Sequence, residues 1–155
     1  MRVLVTGNMG YVGPAVVRHL RQRFPDAWIA GFDSGFFATC LPGVRLPETA
    51  LDVQYFGDVR DFPYRILDGI DVVVHLAAIS NDPMGHRFER VTSAINHDAS
   101  DRLATAAASI GVRQFVFASS CSIYGAAADD ARTEDAPLNP LTAYARSAAG
   151  RAPRS

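Results

Sequence analysis

Cysteine is scarce in this 155-residue sequence, with only Cys40 and Cys121 present. Two thiols cannot build the disulfide framework of a small secreted domain, and they fall short of a metal set. Long apolar runs are missing as well: no stretch approaches the roughly 20 residues of a membrane span. Met1-Arg2 passes at once into a strand-like run, which leaves no room for a signal peptide. Net charge is almost absent, at -1, so no global field draws the chain to nucleic acid or to an anionic membrane. No internal repeat is found, and low complexity is confined to the last few residues. These absences leave the expectation of a cytoplasmic protein of about one domain, both thiols reduced, with 48% hydrophobic residues to build a core.

What is present is an alternation. The apolar run Val3-Leu4-Val5-Thr6 reads as a strand, and apolar positions at Val12, Val16, Leu20 and Phe24 read as a helix. Ala27 to Phe32 form a second strand ending in Asp33. The stretch between Ser34 and Asp52, with Gly35, Pro42, Gly43 and Pro47, reads as loop or irregular insert. Val53 to Phe56 make a third strand, and Asp61 to Leu67 a short helix. Asp71 to Ala77 is nearly all apolar, as for a central parallel strand covered on both faces. A long helix is expected from about His86 to Ile110, its stripe carried by Phe88, Val91, Ile95, Ala99, Leu103 and Ala107 and its end capped by Gly111. Phe115 to Ala118 form a fifth strand. Strands alternating with helices imply right-handed crossovers and an α/β, doubly wound parallel sheet of five strands. Ligands of such sheets bind at the carboxyl ends of the strands.

Between the first strand and first helix stand Gly7, Gly10 and Gly13 at three-residue spacing. Such a turn lets backbone approach a pyrophosphate, and the helix behind it offers unpaired N–H groups and positive dipole. Asp33 lies 20 residues after Gly13, the spacing at which an acid reaches the adenosine ribose hydroxyls. Ser34 and Gly35 follow it, with no arginine for a 2′-phosphate, so NAD is favoured over NADP.

Five motifs in order resemble the extended short-chain dehydrogenase/reductase family, in particular its NAD-dependent nucleotide-sugar epimerases and dehydratases. They are Thr6-Gly7-Asn8-Met9-Gly10-Tyr11-Val12-Gly13, Gly57-Asp58-Val59-Arg60-Asp61, His75-Leu76-Ala77-Ala78, Ser119-Ser120-Cys121-Ser122-Ile123-Tyr124-Gly125 and Pro140-Leu141-Thr142-Ala143-Tyr144. The resemblance implies a Rossmann, NAD-binding domain over residues 1–147. It implies that Tyr11 and Val12 lie on the pyrophosphate, that Asp33 holds the adenosine ribose, that Asp58 and Val59 contact adenine, and that Gly7, Asn8, Met9, Gly10, Gly13 and Ser34 also belong to the cofactor site. Leu76, Ala77, Ala78 and Ser80 would line the cofactor, Asn96 would lie near the nicotinamide half, and Ser119, Ser120 and Tyr144 would also belong to the cofactor site. Ser120 would hydrogen-bond a nucleotide-sugar substrate and Tyr144 would be the catalytic acid/base. A phenol, with pKa ~10, is a poor base at neutral pH. In the family a lysine four residues on, with the nicotinamide's charge, lowers it.

Here the chain departs from the pattern. Tyr144-Ala145-Arg146-Ser147 is followed by Ala148 where the family has lysine. Residues 148–155 read as a divergent tail, and the carboxy-terminal substrate domain is expected to be absent by truncation, such as a frameshift. Arg151, seven residues after Tyr144, is a poor substitute. Two readings stand: an epimerase/dehydratase that is weak or inactive alone, and an NAD-binding pseudoenzyme or partner module without turnover. In the family, dimers pack through the long helix and the helix carrying the tyrosine; the first is present and the second is cut short.

Blander roles compete at several positions. Asp58 can cap the helix that follows, and His75 reads as a hydrogen-bonded core histidine. Cys121 reads as a buried structural thiol. The charged loop of Asp129-Asp130 and Arg132-Thr133-Glu134-Asp135 reads as solvated surface. His86, His97 and Asp98 lack ligand spacing, and no metal is expected.

Overall fold

The structure, a computed structural model, describes residues 1–37, 47–80, 88–126 and 132–149. Their strands are β1 (Arg2–Thr6), β2 (Trp28–Asp33), β3 (Val53–Phe56), β4 (Val72–His75) and β5 (Gln114–Phe117). The α-helices among these residues are α1 (Gly13–Arg23), α2 (Glu89–Ser93), α3 (Ser100–Ile110) and α4 (Ala143–Ala149). The chain forms two compact units, one from Met1–Ala77 with Ala99–Ala118, the other from Ala78–Asp98 with Ser119–Ser155.

The first unit contains the whole sheet. All pairings are parallel, in the order β3-β2-β1-β4-β5, so the direction of strand addition reverses between β2 and β4, on either side of β1. Successive side chains of a strand leave opposite faces. Val3 and Val5 of β1 share one face with Ile29, Val72 and Val74, and this face packs on Val17 and Leu20 of α1. Residue His75 of β4 lies on the opposite face, where its Nε2 pairs with the Ser100 hydroxyl of α3 at 2.7 Å. Helices on both faces make the sheet doubly wound, the Rossmann-like arrangement expected. Transfer of each fully buried aliphatic side chain from water contributes ~1.5–3 kcal/mol, which is why the apolar runs occupy the sheet centre.

Arg21 closes the amino-terminal side of this unit. Its guanidinium donates to the carbonyls of Ala27 (2.7 Å) and Ala50 (3.1 Å) and to the Asp52 carboxylate (2.7 Å). Asp52 also accepts the Ile29 N–H at 2.7 Å, and that bond, with Arg21, holds its carboxyl below the usual carboxylate range.

Two expectations about helices need correction. Asp61 to Leu67 is not one helix but two 3₁₀ turns, Val59–Asp61 and Tyr64–Leu67. Pro63 separates them, because proline forces the preceding Phe62 into extended backbone (φ -61, ψ 125). The long helix is likewise not uniform: a π-helical stretch, Ala94–Ala99, joins α2 to α3. Its amino-terminal stripe is also displaced, since Phe88 and Val91 are exposed while Thr92 and Asn96 are buried. Gly111 caps the end as expected, with φ 92, letting Val112 N–H reach the Ala107 carbonyl at 2.9 Å. Of the loop expected between Ser34 and Asp52, residues 38–46 lie outside the described residues, as do His86, Asp129, Asp130 and Arg151. Pro47–Ala50 form a 3₁₀ turn.

Candidate functional site

Parallel register brings the carboxyl ends of the strands to one edge of the first unit. Thr6 lies beside both Phe32 and His75, and Asp33 beside Phe56. Backbone bonds continue this lacing into the loops: Gly7 N–H to the Phe32 carbonyl (2.9 Å), Leu76 N–H to Thr6 (3.0 Å), and Gly57 N–H to Asp33 (3.0 Å). The glycine turn, Asp33, Asp58, Leu76 and Ala77 therefore follow adjoining strand ends, as the sequence implied.

The glycines of the turn do different work. Gly7 has φ +73, and a Cβ there would stand 2.6 Å from the Ala77 nitrogen. A Cβ on Gly13 would stand 2.4 Å from the Asn8 carbonyl oxygen. At Gly10 the nearest atom to such a Cβ is the Gly7 oxygen at 3.4 Å, so this glycine borders open space. Beyond it, Tyr11 and Val12 are exposed, at 80% and 54%. The first turn of α1 has no side-chain cap, no acidic residue, and a proline near its start. Its positive end is thus left to solvent or to an anion.

Asp33 is half-buried and already oriented. One carboxylate oxygen accepts the Met9 N–H at 2.9 Å and the other the Gly35 N–H at 2.8 Å. Each keeps acceptor capacity for a further donor. Ser34 is exposed, its hydroxyl accepting the Phe36 N–H at 3.4 Å. Asp58 caps the turn that follows it, accepting the Arg60 N–H at 2.9 Å, and pairs with the Arg60 guanidinium. That pairing holds its carboxyl below the usual range. Val59 and Met9 are buried, and Asn8 is wholly so, its side chain paired with Gln54 rather than turned to solvent.

In the second unit the amide of Asn96 fixes the chain that leaves β4. Its Oδ1 accepts the Ile79 N–H at 2.8 Å and its Nδ2 donates to the Ile79 carbonyl at 2.9 Å. Nδ2 also donates to the Ser147 hydroxyl at 3.2 Å, and Ser147 in turn donates to the Tyr144 carbonyl at 2.7 Å. Residues Ala78 and Ser80 flank Ile79 and are exposed. Ser119 is exposed; Ser120 is half-buried and caps the 3₁₀ turn Cys121–Tyr124, its hydroxyl 2.9 Å from that of Ser122. Tyr144 is half-buried on α4. Ala148, one turn further on, is 5% exposed. All fifteen residues of the lysine-plus-arginine count are arginine, so no lysine of this sequence takes that place.

Cys121 corrects an expectation: its thiol is exposed, because Ile123 is the residue this turn buries. His75 is the core histidine expected, 1% exposed, with Nδ1 2.6 Å from the Thr6 hydroxyl and Nε2 bonded to Ser100. Among the described residues no group of three potential ligands could hold a metal ion, and no helix is long and apolar enough to cross a membrane.

Residues 3–149 match the model of the NAD dependent epimerase/dehydratase family. The chain belongs to that family. It is 34% identical over 154 residues to the dTDP-glucose 4,6-dehydratase of Streptomyces griseus, covering 95% of this chain and 46% of the relative. It is 31% identical over 154 residues to the UDP-glucose 4-epimerase of Lactobacillus helveticus, covering 93% and 43%. Among solved structures it superposes on the dTDP-glucose 4,6-dehydratase of Streptomyces venezuelae, which carries NAD, with a TM-score of 0.81 and 31% identity. That match covers 97% of this chain and 49% of the other. This epimerase/dehydratase chain thus spans under half the length of the relatives it matches.

Sequence reasoning did not find Gln54, the hydrogen-bonding role of Ser147 or the π-helical placement of Asn96. Each acts by hydrogen-bonding another residue's backbone or amide, and apolar periodicity carries no trace of that. Only the serine before the position of the family lysine was visible as a motif.

Proposed function

We propose that this chain binds NAD on its glycine turn and serves nucleotide-sugar epimerase or dehydratase chemistry, with weak or no turnover alone. The observation that carries the reading is Asp33, oriented by the Met9 and Gly35 amides beside a glycine turn whose Gly10 faces open space. Main-chain N–H groups at the start of α1 would hold the pyrophosphate, and Asp33 would accept from the ribose hydroxyls. NAD, when bound, supplies the hydride acceptor for a sugar hydroxyl carbon.

The chain's own contribution to that chemistry is partial. The resemblance gives Ser120 the substrate oxygen and Tyr144 the proton. Asn96 and Ser147 order the backbone on either side, at Ile79 and Tyr144. The ammonium that would favour the phenolate is missing, since Ala148 offers a buried methyl. Ala148 is the observation that favours binding without turnover over an enzyme complete in itself.

Purified protein incubated with NAD and a panel of nucleoside-diphosphate sugars tests this, with absorbance at the nicotinamide band and product analysis as readouts. Retained NAD with no keto or epimerised sugar is expected. Sustained turnover would overturn the pseudoenzyme side of the reading, and failure to retain NAD would overturn all of it.

A further inference from the structure

Beneath the glycine turn lies a polar contact between Asn8 of the turn and Gln54 of β3. Asn8 is 0% exposed, and its Nδ2 donates to the Oε1 of Gln54 at 2.6 Å. Gln54 Nε2 returns a longer bond to Asn8 Oδ1 at 3.4 Å and donates to the Tyr55 carbonyl at 2.8 Å. A carbonyl only accepts, so Tyr55 dictates which end of the Gln54 amide it meets and leaves Oε1 facing Asn8. Gly31 in β2 leaves the space: a Cβ there would stand 2.6 Å from the Asn8 amide atoms. The main chain of Asn8 is held from the other side, where Gly13 packs so closely that its Cβ would meet Asn8 carbonyl oxygen and Cα. One residue is therefore fixed between the start of α1, the floor of β2 and the side chain of β3. Its neighbour Met9 carries the amide that orients Asp33.

We propose that Gln54 is a positioning residue of the turn, acting through Asn8 to hold the Met9 amide against Asp33. Its consequence for dinucleotide affinity rests on the NAD reading above. Gln54 is itself only half-buried, yet its amide meets the donor of an Asn8 side chain that is 0% exposed and has to be paired.

Two variants break the contact by different routes, Gln54→Met, which keeps length without hydrogen bonds, and Asn8→Ala. Amide hydrogen exchange in the full-length chain reads the turn with no ligand present. Both variants are expected to speed exchange at Met9 by about ten-fold or more, the equivalent of one lost buried hydrogen bond. Val74, in the sheet centre, should change far less. In the double variant Met9 should exchange no faster than in Asn8→Ala alone. NAD affinity should fall about ten-fold in Gln54→Met with the same non-additivity. Equal acceleration at Met9 and Val74 would overturn the proposal, as would additive effects. A parent chain that fails to bind NAD yet shows the Met9-specific change removes the cofactor reading and leaves the positioning role supported.

Discussion

Gly7→Ala and Gly13→Ala should each leave little folded protein, whereas Gly10→Ala should fold and lose its dinucleotide. The difference follows from where a methyl group would go. At Gly7 the backbone is left-handed, a conformation that costs an L-residue ~1–2 kcal/mol. The added Cβ would also stand 2.6 Å from the Ala77 nitrogen, which is main chain two residues beyond β4 and cannot turn aside as a side chain could. At Gly13 the obstacle is the Asn8 backbone at 2.4 Å, and relief requires moving α1 off the sheet. Losses of about 4 kcal/mol or more are expected at both, against a total of ~5–15 kcal/mol for a domain. Gly10 has a negative φ and an ordinary 3.4 Å neighbour, so its alanine variant should melt within a few degrees of the parent. Its methyl enters the space where main-chain N–H groups would meet a pyrophosphate. About 2 kcal/mol of lost affinity there corresponds to roughly 30-fold. Circular dichroism melts paired with NAD titration check all three. A Gly10→Ala protein that binds NAD like the parent would mean that the open space is not the phosphate site.

His75→Ala should cost about 3–5 kcal/mol of stability while leaving the cofactor site's chemistry untouched. The ring fills a position 1% exposed, with the Phe115 and Phe117 rings 5.8 Å and 5.9 Å away. Its two nitrogens bond Thr6 on β1 and Ser100 on α3, so the imidazole fastens a strand and a helix to β4 at once. Alanine leaves a cavity and removes one bond from each buried hydroxyl, two effects that add. Urea unfolding would measure the loss. A variant as stable as the parent but poorer at binding NAD would make His75 a site residue instead of a core one.

The fold was legible in the sequence because its three inner strands, β1, β2 and β4, are largely buried and therefore read as near-continuous apolar runs. Val53 to Phe56 fall on β3 as expected, and the other strands agree within two residues at either end. Helices were less legible where polar demands outweighed apolar ones. Val91 continues the hydrophobic period of the long helix, yet Thr92 and Asn96 face inward, since Asn96 must satisfy both backbone groups of Ile79. The glycine turn and Asp33 could be read because their spacing reports on a turn and a strand length. Gln54 could not, since its meaning depends on a partner 46 positions away.

Calorimetric titration of NAD into the folded chain, beside its Asp33→Ala variant, tests the cradle most directly. A saturable heat is predicted for the parent, with affinity weakened at least about ten-fold when the carboxylate proposed to meet the ribose is gone. No heat at millimolar NAD from correctly folded protein, or equal affinity in both chains, would contradict it.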